Sequence, residues 1–332
     1  MRLTAPIPAL LLVLTTLVAA PPAAGGGRDH AGASRVASRV VGGGTPASCT
    51  SQAVVKAVAA GGRITFDCGP DPVTIVMRRT AKVVNTNPVT VLDGGDLVTL
   101  SGAGKRRILY QNTCDPRQVW TTDHCQAQPD PLLVVKGMRF VRGSSVGETD
   151  EGGGGGAVFV RGGRLRVVGS TFERNRCDRS GPDLGGAAIR VLSVVRPVKV
   201  RGSSFTRGRC SNGSALSSIG VSWTIRDTVF QRNKAVGRGA NPARPGTPGG
   251  GSGGAIYLDG NRFTLRLTDV LMEDNRAREG GGAIFFVSND RTGTMTLSGS
   301  TLRRNPSLGF ETYPGIFFLG RKASFVDGTS LE

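Results

Sequence analysis

Large apolar residues along this chain fall into a register that returns six times, each followed three places later by Asn or Gly. The pairs are Phe140/Gly143, Phe172/Asn175, Phe205/Gly208, Phe230/Asn233, Met272/Asn275 and Leu302/Asn305. The apolar members stand 32, 33, 25, 42 and 30 residues apart, and self-similarity at such a period marks a repeat architecture. Five places before each stands Val135, Val167, Val200, Ile225, Leu267 or Leu297; three places before stands Gly137, Gly169, Gly202, Asp227, Asp269 or Gly299. An inward-pointing strand end, a bend and a second short strand satisfy that pattern, and a helix would not accept Gly or Asp at its centre six times. Period-two alternation in Thr264-Leu265-Arg266-Leu267-Thr268 also reads as strand.

A second element precedes five of the copies: Gly156-Ala157-Val158, Ala187-Ala188-Ile189, Ser214-Ala215-Leu216, Gly254-Ala255-Ile256 and Gly282-Ala283-Ile284. Small residues permit a tight corner, and the branched residue then begins a strand. One period thus predicts about three short strands, a single coil of a parallel β-helix that is stable only when stacked on its neighbours. The turn Asn is placed to hydrogen-bond to the Asn of the next coil. The expected fold class is all-β, a right-handed parallel β-helix solenoid of about eight to ten coils. Thr50–Ala60 reads as a short N-terminal capping helix, with Thr50 or Ser51 as N-cap, Val54, Val55 and Val58 on one face, and Gly61-Gly62 as the stop. Runs at Ile64–Phe66, Val73–Val76, Val89–Leu92 and Leu97–Leu100 predict the first coils. Phe325 with Gly328 predicts a partial last one. Asn241–Gly253, Cys114–Pro131 and Glu148–Gly155 interrupt the period as loops, the usual place for specificity.

Composition adds compartment. Residues 1–24 read as a signal peptide, with Arg2 ahead of an apolar run from Ile7 to Ala20 and small residues after it. Residues 25–47 read as a flexible leader and 48–332 as a single β-helix domain. Six cysteines in an exported chain favour disulfides over zinc. Cys177 and Cys210 each stand five places after the register residue, so stacked coils would set them about 4.8 Å apart, within disulfide reach. Cys114–Cys125 and Cys49–Cys68 follow by proximity.

Gly253-Gly254-Ala255-Ile256 and Gly281-Gly282-Ala283-Ile284 match GGAI, while Phe172–Asn175 and Phe230–Asn233 match FxxN. Together they resemble the repeats of the polymorphic outer-membrane-protein family and, more broadly, right-handed parallel β-helix proteins of the pectin-lyase-like superfamily. The resemblance covers roughly residues 130–310 and implies a surface-exposed or secreted passenger, often an adhesin. The superfamily also contains lyases and hydrolases of acidic polysaccharides. Their clustered Asp ligands and basic residue have no matching local motif here, so no catalytic residue is assigned by resemblance. The translocator barrel of the outer-membrane proteins has no counterpart either.

Formal net charge is +18. Two places after the register residue stand Arg142, Arg174, Arg207, Arg232, Asp274 and Arg304, a column that would form a basic ladder. Arg166, Lys199, Arg201, Arg226 and Arg266 form a second basic group at outward strand positions. Guanidinium forks suit carboxylate, sulfate and phosphate, and a row of them suits a linear polyanion. Weaker candidates are His124 (His30 lies in the leader), a calcium site at Glu148, Asp150 and Glu151, and the equivalent turns of Asp227 and Asp269. No metal or cofactor is otherwise expected, and no aromatic platform for nucleic acid appears. The expectation is a secreted or cell-surface scaffold, non-catalytic and adhesin-like, binding acidic glycan or cell-wall polymer. The alternative is a lyase or glycoside hydrolase acting on such a polymer. The sequence does not address oligomeric state.

Overall fold

In the computed structural model, residues 36–121, 124–149 and 153–332 are described. The stretch expected to be a signal peptide, 1–24, the expected leader as far as residue 35, and His30, Asp150 and Glu151 lie outside them. The described chain is a solenoid of stacked parallel strands. The coil that begins at Ile189 shows the unit: Ile189–Leu192, Val198–Arg201, Ser204–Thr206 and Arg209–Cys210. Each strand pairs in parallel with its copies in the coils before and after. The second and third strands build one bent sheet, the sheet-one face below. The first strands build another, the sheet-two face, with one strand per coil and eight such strands among the described residues.

The register columns are real ladders. Phe140, Phe172, Phe205, Phe230, Met272 and Leu302 are consecutive in-register partners, and all are buried. Their rings stack at 4.7–5.1 Å from Phe140 to Phe230. Val135, Val167, Val200, Ile225, Leu267 and Leu297 make the second inward column. Replacing Phe205 with Leu is expected to lower the unfolding free energy by about 1–1.5 kcal/mol, the stacking contribution plus imperfect filling. Equilibrium urea unfolding would show it.

Bends carry left-handed backbone in every copy. Gly137, Gly169, Gly202, Asp227, Asp269 and Gly299 have φ between 50° and 59°, and Arg142, Arg174, Arg207, Arg232, Asp274 and Arg304 lie between 51° and 57°. The GGAI corner needs glycine for space: a Cβ on Gly254 would run into the Gly282 carbonyl oxygen. Behind the register residue, the turn asparagines form a buried ladder. Asn275 accepts from Asn233 through Oδ1 (2.9 Å from Nδ2, 3.1 Å from N) and donates to Asn305 Oδ1 (2.9 Å). Where Gly replaces Asn, the next coil's Asn still accepts its N–H, as Asn175 does for Gly143 at 2.7 Å.

The ends depart from expectation in two places. Ser38–Gly42, inside the stretch expected to be leader, is a strand paired in parallel with Arg63–Asp67. Val41 is buried, and Cys49–Cys68 ties this edge to the coil. Phe325 does not occupy the register column. It pairs with Leu297, and Leu331 pairs with Leu302, so the last coil holds one extra residue between the two columns. Helix Ser51–Ala60 forms as expected, with Thr50 Oγ1 accepting from Ala53 N at 3.2 Å and Val54, Ala57 and Val58 in the core. Val89–Ser101 runs as one long strand whose register shifts between Asp93 and Val98. That shift explains the looser spacing of the early coils.

Candidate functional site

All three cysteine pairs are disulfides: Cys49–Cys68, Cys114–Cys125 and Cys177–Cys210. Cys177 and Cys210 have Cα atoms 4.7 Å apart, the separation of neighbouring coils. No described helix is long and apolar enough to cross a membrane.

The turn arginines do form an exposed column, but the protein answers much of its charge. Arg207 Nη1 lies 3.1 Å and Arg174 Nε 3.6 Å from Glu173. Arg304 binds Glu273 and stands 2.8 Å from Asp274, which also lies 3.9 Å from Arg232. Hydrogen bonds from Gln231, then from Arg304 and Arg303, hold the Glu273 carboxyl below the usual glutamate range. A carboxyl depressed by folding contributes stability that is complete above its unfolded pKa and lost as pH falls through the folded one. Glu273→Gln is therefore expected to destabilise at neutral pH and to match the wild type more closely as pH drops below 4.5, the ordinary glutamate value. Thermal melts across pH 3–7 would check the sign.

The outward positions of sheet one differ. Arg166 is the in-register neighbour of Lys199, Lys199 of Thr224, and Thr224 of Arg266; Arg201 is the neighbour of Arg226. All five basic side chains are exposed. Arg201 pairs with Asp227 at 3.2 Å, whereas Arg166, Lys199, Arg226 and Arg266 have no acidic partner among the described residues. Arg196 extends the patch around a shallow depression with Arg166 and Lys199; Arg164 lines it too but is paired with Asp130 at 2.6 Å.

A second constellation, not anticipated, lies on the outer side of sheet two beneath the Asn241–Gly253 insertion. Asn241 Nδ2 is 2.7 Å from Asp183 Oδ1, 2.8 Å from Asp259 Oδ2 and 2.7 Å from the Tyr257 hydroxyl. The two carboxylate oxygens therefore stand at most 2.7 plus 2.8 Å apart. Burial, with Asp183 nearby, raises the Asp259 carboxyl above the usual range, and burial pushes the Tyr257 phenol well up. Arg190, wholly buried in the column of Tyr257 two coils earlier, donates to Ser217 Oγ at 2.7 Å; burial lowers its guanidinium to about 10. Ile219, Phe285 and Val287 give the groove an apolar floor, and Asn289 donates to Asp259 at 3.1 Å. Asp183→Asn is expected to lower the Asp259 pKa, since it removes a like charge. Carboxyl-carbon NMR titration would report it.

Asp227 and Asp269 occupy left-handed bends, consistent with a turn role. Glu148 lies 3.6 Å from Arg107. His124 is exposed on its loop. No family model, curated protein or solved structure matches this chain.

Proposed function

We propose that the protein is an exported, right-handed β-helix scaffold that binds a linear polyanion, an acidic glycan or cell-wall polymer, on its sheet-one face. The helix Ser51–Ala60 serves as the cap of its N-terminal end, and the repeats are of the polymorphic outer-membrane-protein type. One observation carries the functional reading. Arg166, Lys199, Arg226 and Arg266 stand exposed on in-register strands of one face without acidic partners among the described residues. Strands stacked at about 4.8 Å per coil set Arg166, Lys199 and Arg266 in one line, interrupted by Thr224, with Arg226 in the next outward column, and cations fixed on a rigid surface lose little entropy when a polymer lies along them. Three disulfides and a net charge of +18 agree with work outside the cell on an acidic partner. Retention on immobilised polyuronate and sulfated glycan at increasing salt tests the reading. Binding should weaken steeply as salt rises, and salt-insensitive binding, or none, removes it.

The carboxylate groove supports a second reading, a glycoside hydrolase. Two neighbouring carboxyls, one of them raised by burial, are the pair of groups that glycosidic-bond hydrolysis needs, although here the Asn241 amide donates to both. In that reading Asp259 is the general acid and Asp183 the second carboxyl group. New reducing ends released from an acidic polysaccharide, abolished by Asp259→Asn and Asp183→Asn, would establish it. Retention without new ends would leave the scaffold.

A further inference from the structure

We propose that the cavity between helix Ser51–Ala60 and the first two strands of sheet two is a binding site for a small organic oxyanion. It is distinct from the polymer face. The cavity measures about 520 Å³, inside the usual range of small-molecule sites. Its lining carries Arg79, Lys82, Arg107 and Arg117 against one carboxylate, Glu148, which lies 3.6 Å from Arg107. Lys82 is the in-register neighbour of Tyr110, and Tyr110 of Phe159. Lys82 Nζ lies 5.2 Å from the Tyr110 ring centroid, and Arg107 is engaged by the Gly154 and Gly155 carbonyls at 2.8 and 3.1 Å. Arg79 enters from the loop before Lys82 and has no acidic partner among the described residues. Val55 and Ala59 supply an apolar wall from the helix.

Gln118 adds a neutral polar group to the lining. It lines the cavity and is only 7% exposed, yet its side-chain amide has no hydrogen-bond partner among the described residues. Its polar atoms are not among the side-chain atoms closed off from solvent without a partner, so water meets the amide in the cavity and a ligand oxygen or hydroxyl takes that water's place. Its backbone is held firmly, with Gln118 N donating to Asp115 O and Gln118 O accepting from Asn85 N. The amide is thus presented on a fixed support. An ammonium and a guanidinium bind a carboxylate or phosphoryl oxygen, and the amide and apolar wall receive the organic body that carries it.

The test is isothermal titration of the full chain with glucose 6-phosphate, glucuronate, inorganic phosphate and glucose. One-to-one binding of glucose 6-phosphate or glucuronate, with glucose at least tenfold weaker, is expected. Whichever charged sugar binds more tightly assigns the group as phosphoryl or carboxylate. Arg79→Ala, at an exposed loop position, and Lys82→Met should each weaken binding roughly tenfold, the loss of one charge-assisted hydrogen bond. Gln118→Leu should weaken binding while leaving the melting temperature equal or higher, a combination that a purely structural Gln118 would not give. Simultaneous charge reversal of Arg166, Lys199, Arg226 and Arg266 should leave this binding intact, so its outcome separates from that of the polymer reading. Equal binding of glucose, binding of inorganic phosphate alone, or affinity unchanged by both Arg79→Ala and Lys82→Met would overturn the proposal.

Discussion

Replacing Asn275 with Ala is expected to lower the unfolding free energy by about 4 kcal/mol and the melting temperature by roughly 10 °C. The size follows from the partners left behind. Asn275 Oδ1 accepts both Asn233 N and Asn233 Nδ2, while its own Nδ2 donates to Asn305 Oδ1 and to the Phe230 carbonyl. All these groups are buried. A buried donor or acceptor stripped of its partner costs about 1–3 kcal/mol, and alanine strips several at once while also removing side-chain volume. Asn175→Ala should cost less, because Asn175 serves one backbone N–H and one carbonyl, Gly143 N and Phe140 O. Thermal unfolding followed by circular dichroism would rank the two. Equal losses would show that the ladder does not act through its length.

Reversing the four unpaired charges of the sheet-one face, Arg166, Lys199, Arg226 and Arg266, all to Glu, is expected to lower polyanion affinity by roughly a thousandfold near 50 mM salt. A basic side chain close to an anionic surface contributes about 1 kcal/mol, and each 1.4 kcal/mol is about a tenfold change in affinity. The slope of log affinity against log salt should also flatten by about three units, a little under one for each charge reversed. The control is the turn column. Arg174, Arg207 and Arg304 already face Glu173, Glu273 and Asp274, so converting those three to Ala should change affinity less than about tenfold. The substitutions sit on exposed positions, so circular dichroism of both variants should match the wild type. If the turn variant bound more weakly than the face variant, the binding surface would be the ladder beside the asparagines.

The repeating parts of the fold were legible because every coil imposes the same demands. A column that must be buried, or must bend through left-handed backbone, shows the same residue class each time, so Phe172, Phe205 and Phe230 announce their neighbours. Cys177 and Cys210 share a column for the same reason. Legibility failed where the spacing changed. Phe325 has Gly three places on, as a register residue would, yet it stands in the column of Leu297, and Leu331, six places on rather than five, takes the register column. The strand at Ser38–Gly42 is hidden by its Gly-, Arg- and Ser-rich flanks. Its only clue is the Val40-Val41 pair. Self-pairing of the turn arginines was visible in principle, since Glu173 and Glu273 each stand one place after the register residue, on the side of the bend shared with the arginines. The groove of Asp183 and Asp259 left no local trace. Asn241 unites them from an insertion that breaks the period, and only the stacked coils bring those distant segments together.

The most direct test is a set of distances along one outward column. Arg166, Lys199, Thr224, Arg266, Thr296 and Ser324 are successive in-register neighbours. The native cysteines are all paired, so introduced ones can be spin-labelled selectively. Electron–electron double resonance between Ser324 and Arg166, and then between Ser324 and Lys199, should give sharp distributions. The expected Cα separations are about 24 Å and about 19 Å, shrinking by about 4.8 Å for each coil removed. Broad distributions, or distances that do not step with coil number, would show that equivalent side chains are not stacked. The aligned basic face would then be lost with them.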